Sequence, residues 1–102
     1  MGQVWFVSRH PGAVDWAREM GIAIDRWVVH LDPAEVTPGD TVIGTLPLPQ
    51  VAQLQGCGVT YWHLAVDLPA AMRGRELSAE ELRRLGAELR RYEVALVGSW
   101  PA

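Results

Sequence analysis

The sequence predicts an α/β protein built on a doubly wound, Rossmann-like sheet, mostly parallel and flanked by helices. Short apolar runs at 4–7, 41–45 and 59–66 have the length and composition of strands buried on both faces. Segments with helical spacing or helical end signals lie between and after them. At 102 residues the chain has room for one core, because domains commonly run to about 100 to 150 residues. Residues 1–102 are therefore read as a single domain.

Val4, Trp5, Phe6 and Val7 form an unbroken apolar run, which places the first strand mid-sheet, and Ser8-Arg9-His10-Pro11-Gly12 closes it. Over 13–20, Val14, Ala17 and Met20 interleave with Asp15, Arg18 and Glu19 at helical spacing, and Gly21 supplies a C-terminal stop. A second strand is expected over 26–31, through Trp27, Val28 and Val29, until Asp32-Pro33 breaks it. A loop ending in Thr37-Pro38-Gly39-Asp40 leads to the third strand, which stops at Leu46-Pro47-Leu48-Pro49, since proline supplies no ladder donor. Residues 50–55 predict a short helix leaving through Gly56-Cys57-Gly58, and the fourth strand over 59–66 ends at Asp67-Leu68-Pro69. Ser78-Ala79-Glu80-Glu81 is a capping box that starts the last helix. Leu82, Leu85, Leu89, Tyr92 and Leu96 then recur at spacings of three and four, so one apolar stripe is expected on a long helix whose Arg83, Arg84, Glu88, Arg90 and Arg91 face water. Val94 to Val97 fits either the end of that helix or a fifth strand.

Composition narrows the function classes. Half-apolar content (49%) and five Trp exclude a disordered chain. A net charge of -3 argues against long nucleic acid, which needs a clustered basic surface, so any bound anion is small. All nine basic residues are Arg, which removes lysine chemistry and leaves groups that hold phosphate or carboxylate in a fork. One Cys and three scattered His give neither a disulfide nor a recurrent metal-ligand spacing, so no metal and no cofactor is expected. The amino terminus passes at once into a strand-like run, with no apolar stretch long enough for a signal peptide or a membrane span, and a cytoplasmic location is expected.

Parallel sheets bind ligands beyond the carboxyl ends of their strands, where three loops should meet. The first, Ser8 to Gly12, offers a hydroxyl, a guanidinium, an imidazole and a Pro-Gly helix start with unpaired amides, a set suited to phosphate. As a motif it is weak, and a capped turn with a surface Arg accounts for it as well. The second holds Gly44, Thr45, Leu46 and Pro47, where glycine admits either a ligand or a packed helix. Asp67 in the third suits a ribose hydroxyl or a capped turn. Arg73 and Arg75 fit a mobile clamp closing on an anion, or solvated loop residues. His63 and His30 read as core or face residues, Cys57 as an inert small residue, and the Trp as mainly core, with Trp16 or Trp62 the candidates to stack on a base.

Taken together, Trp5 to Ala13, Arg26-Trp27 with His30-Leu31-Asp32-Pro33, Gly39 to Pro47, Asp67-Leu68-Pro69 and Arg73 to Ser78 resemble the small CRISPR-associated proteins called Csx sixteen, found beside type III systems. The resemblance spans almost the whole chain, loosening after about residue 91. It implies a minimal CARF-related domain, a homodimer, that binds cyclic oligoadenylate messengers and linearises them as a ring nuclease, with cyclic tetra-adenylate as the substrate. It further implies attack by the substrate's own ribose 2'-hydroxyl without a metal. On that mechanism Ser8 and the amides up to Gly12 hold the phosphate, Arg9 offsets charge on its oxygens, and His10 moves a proton, with Pro11, Gly44 to Pro47, Asp67, Arg73 and Arg75 around the ligand. Three other readings stay open: a sink that binds the messenger without cutting it, a phosphate-metabolite enzyme sharing only the fold, and an adaptor using the face from Arg83 to Arg91.

Overall fold

In the computed structural model, which describes residues 2–101, strands and helices alternate as the apolar runs require. The order is β1 (Val4–Val7), α1 (Pro11–Glu19), β2 (Arg26–Val28), β3 (Thr41–Gly44), α2 (Leu48–Gly56), β4 (Thr60–Ala65), α3 (Ala79–Arg84) and β5 (Glu88–Arg91), with single 3-10 turns at Pro33–Glu35 and Ala70–Met72. The sheet runs β2-β1-β3-β4-β5. Its first four strands are parallel and β5 pairs antiparallel with β4. This is a small α/β domain with a mostly parallel five-stranded sheet, compatible with a Rossmann-like fold.

Successive strand residues point to opposite faces, and that alternation splits the core in two. Trp5, Val42 and Tyr61 meet Val51 and Leu54 of α2 on one face. Phe6 and Ile43 meet Val14, Trp16 and Ala17 of α1, with Leu82 of α3, on the other. The chain leaves β1 toward β2 on one side and β3 toward β4 on the other, so the two crossovers cover opposite faces. A crevice is left beyond the carboxyl ends of β1 and β3, where a doubly wound sheet takes its ligand.

Asp40 is the buried charged residue that ties the starts of these two strands together, at 4% exposure. Its carboxylate accepts the Gln3 amide at 2.8 Å, the Thr37 amide at 3.0 Å and the Trp5 indole N–H at 3.1 Å. The Thr37 amide above all holds the carboxyl below its ordinary pKa, against the opposing push of burial, with the Gln3 and Trp5 bonds adding to the lowering.

The long last helix is not formed. α3 stops at Arg84, and Gly86, at φ +73°, turns the chain in the left-handed region. The Gly86 amide donates to Arg83 O at 3.1 Å and the Ala87 amide to Leu82 O at 3.0 Å, the paired bonds of a Schellman stop, which also end α1 at Gly21 and α2 at Gly58. Leu89 and Tyr92 keep their spacing but stand in or beside β5, and the face from Arg83 to Arg91 is divided between a helix and a strand. The fifth strand lies at Glu88–Arg91, and 94–97 is neither helix nor strand. Boundaries also differ, α2 among them, which starts at Leu48 rather than 50. β2 ends at Val28, after which Val29 is half exposed, and α1 starts at Pro11 because proline is pre-set for a first helical turn.

Candidate functional site

The turn after β1 is held by its own backbone and by its neighbours. The Ser8 amide donates to Val28 O at 3.0 Å, extending the β1–β2 ladder, while the Trp27 indole N–H donates to Ser8 O at 2.8 Å. Ser8 Oγ accepts the His10 amide at 3.0 Å, which leaves the hydroxyl proton of Ser8 available to a ligand. His10 is the N-cap of α1 but makes no side-chain cap bond, so its exposed imidazole is free of the helix. Its Nδ1 lies 3.9 Å from Glu76 Oε1. The amides of Ser8 and His10, expected to hold phosphate, are thus engaged within the protein.

Two hollows open on either side of this turn. One, of about 460 Å3, brings Ser8, Arg9 and His10 together with Gly44, Thr45 and Arg75 over an apolar floor that includes Phe6 and Leu77. The other, of about 400 Å3, is shared by Ser8, Arg9 and His10 with Thr45, Leu46, Pro47 and His30. Pro11, Gly12 and Arg73 line neither. Gly12 serves a different close approach: a Cβ there would stand 1.9 Å from Leu77 O, so the backbone of the loop before α3 rests on the first turn of α1. Gly44 makes a close approach to the neighbouring strand, for a Cβ on it would meet Val7 O of β1 at 3.0 Å, while it also lines the first hollow.

Arg75 is anchored by an ion pair with Glu81 of α3. The Glu81 carboxylate also closes the capping box by accepting the Ser78 amide, and that bond first, Arg75 after it, holds its pKa low. The expected mobile clamp is therefore one tethered arginine at the hollow, and Arg73 stands apart from it. Asp67 lines a third hollow, of about 470 Å3, beyond Thr45 and toward β5, together with His63. Thr45 is common to all three hollows.

Sequence reasoning passed over several of these residues. Glu76 reaches His10 and His30 joins its hollow, contacts set by loops far apart in the chain, while His63 lies within hydrogen-bond reach of Tyr61. Trp16 is buried at 2% exposure and offers no stacking face, while Trp62 is partly buried against the same core. The Trp beside the turn is Trp27, 43% exposed. The larger hollow of about 730 Å3 lies between the end of α2 and 93–96; Thr60 and Arg91 line it together with Glu93, but no imidazole does. Among the described residues no group of three His, Cys, Asp or Glu side chains is placed to hold a metal ion, and no helix is long and apolar enough to cross a membrane.

Searches of curated proteins and of solved structures gave no significant match. Residues 5–95 match the family model described as "Putative CRISPR-associated protein (Cas_VVA1548)", a span that contains the turn, the rim of the hollows and the loop before α3. The chain belongs to this family of CRISPR-associated proteins.

Proposed function

We propose that the protein is a metal-independent ring nuclease of the Csx sixteen type, CARF-related and acting beside type III systems, that binds cyclic tetra-adenylate and opens its ring. The observation that carries this reading is the convergence of Ser8, Arg9, His10 and Arg75 on one strand-end hollow in a member of a CRISPR-associated family. With a net charge of -3, the chain attracts an anion through local arginines rather than through its overall field.

The ribose 2'-oxygen forms a bond to the adjacent phosphorus as its proton leaves, the bond to the 5'-oxygen breaks, and that oxygen takes up a proton. The products carry a 2',3'-cyclic phosphate and a 5'-hydroxyl. Ser8 Oγ donates its proton to a phosphate oxygen while still accepting the His10 amide. The Arg9 and Arg75 guanidinium groups offset charge growing on the phosphate oxygens. The His10 imidazole moves one of the two protons, with the Glu76 carboxylate 3.9 Å from its Nδ1. Two copies of so small a domain enclose a cyclic tetranucleotide better than one, so the active form in this reading is a homodimer.

The test is incubation of the protein with excess cyclic tetra-adenylate in EDTA, with products separated over time. Multiple turnovers to linear 2',3'-cyclic phosphate products are expected, with a loss of about 100-fold or more in His10→Gln. An intact ring that binds tightly would replace the enzyme with a sink. An intact ring that does not bind would remove the reading altogether.

A further inference from the structure

The chain has three histidines, and each lines a hollow bordered by Thr45: His10 and His30 on the side of β1, His63 on the side of β4. His63 is the one whose ring is fixed by a neighbour. The Tyr61 hydroxyl lies 3.0 Å from Gly44 O, 2.9 Å from the Leu46 amide and 2.8 Å from His63 Nδ1. A carbonyl can only accept and an amide can only donate. The single phenolic proton therefore goes to Gly44 O, the Leu46 N–H fills one lone pair, and the other is left for a proton carried on Nδ1 of His63. Burial pushes the Tyr61 pKa up, so the phenol keeps its proton. In this arrangement the opposite nitrogen, Nε2, carries an unshared pair.

The Tyr92 ring packs against the imidazole at 81°, centroids 5.9 Å apart. Arg90 stands directly across from His63 in the β4–β5 register and lines the same hollow, its guanidinium in contact with Glu88 at 2.8 Å and 3.1 Å. Asp67 and Glu88 line the hollow too, so an anion held by Arg90 takes the place of Glu88; in the neutral ring the free imidazole nitrogen, beside that arginine and the Thr45 hydroxyl, is set to accept a proton from a substrate hydroxyl whose nucleotide has its other phosphate on the arginine.

We infer that the His63 hollow is a second phosphate subsite of the same ligand surface, with Arg90 holding the anion, His63 Nε2 accepting the 2'-hydroxyl proton, and Tyr61 as the positioning residue that sets the tautomer. The proton-accepting role rests on the ring-nuclease reading; the phosphate subsite and the tautomer do not. In the balanced step, the 2'-hydroxyl proton passes to Nε2 as the oxygen bonds to phosphorus, and the 5'-oxygen leaves with a proton from the His10 side.

The test combines 15N NMR of the imidazoles in the free protein with single-turnover cleavage of cyclic tetra-adenylate by wild type, His63→Gln and Tyr61→Phe. Expected are a His63 signal with the proton on Nδ1, a shift toward the other tautomer in folded Tyr61→Phe, and cleavage slowed by about 100-fold in His63→Gln with binding retained. A proton on Nε2 in the free wild type, or His63→Gln within twofold of wild-type cleavage, would overturn the assignment. If wild type leaves the ring intact, the ring-nuclease reading falls alone and inorganic phosphate becomes the probe. A saturable shift of His63 Nε2 that Arg90→Gln abolishes then supports the subsite, and no shift overturns it.

Discussion

Asp40→Asn tests what holds the two site-bearing strands in register. The Asp40 carboxylate accepts three N–H groups while 4% exposed. An amide keeps one oxygen and turns an NH2 toward at least one of those donors. A net bond to a charged acceptor is worth about 1.5 to 3 kcal/mol, and the variant loses one or two while sparing the desolvation of a charge, so a net cost of about 2 to 4 kcal/mol is expected. For a domain of this size that lowers Tm by about 10 to 20 °C, to be read by near-UV circular dichroism, for which Trp5 is a direct reporter. Because the folded-state pKa is depressed, Asp40's contribution is complete above the ordinary carboxylate range near ~3.9 and is lost as pH falls through the folded value. The gap in Tm between wild type and variant should therefore narrow below about pH 4. A gap under about 2 °C at pH 7, or one unchanged from pH 7 into acid, would refute the reasoning.

Two glycine variants separate backbone strain from steric collision. Gly86→Ala has open space for its Cβ but sits at φ +73°, so it should cost about 1 to 2 kcal/mol and loosen α3 and β5 first, read as faster amide exchange across the β4–β5 ladder. Unchanged exchange would mean that the stop does not depend on the left-handed turn. Gly12→Ala sits in an ordinary helical turn but drives a Cβ against Leu77 O, so the loop before α3 must lift at a cost of about 1 to 3 kcal/mol. The His10 imidazole signals, near Glu76 of that loop, should shift in the same variant, and a silent His10 would detach the loop from the site.

The strands are legible because the central ones are continuous apolar runs: Val4 to Val7 and Thr41 to Gly44 need no tertiary information to be read as strands with helices between, whereas their adjacency in the sheet comes from the fold. The last third was misread because Leu82, Leu85, Leu89 and Tyr92 satisfy helical spacing even though Gly86 divides them. Arg83 and Arg84 followed by that glycine form a helix-ending signal that the leucine stripe outweighed. The place of Ser8, Arg9 and His10 at the rim of the hollows is legible because a strand-to-helix turn puts them there whatever the rest of the chain does. Glu76 beside His10, Trp27 bracing Ser8 and Tyr61 against His63 are pairings between segments brought together only by the folded sheet. The glycines show the same limit from the other side: 12 and 44 are close approaches, as glycine suggests, and the folded chain supplies the neighbours, Leu77 and Val7.

The two borders of the sheet are unlike its centre. β2 is three residues long and begins with Arg26, and β5 is four residues long and reads Glu-Leu-Arg-Arg. Short borders carrying charge are poor templates for another strand, because a neighbour that paired there would have to shed water from those side chains and gain few rungs. Continuing the sheet into a second molecule is thus the least favourable way for copies of this chain to meet. Even crowded at high concentration, they should be resistant to the strand-on-strand growth that begins fibrils.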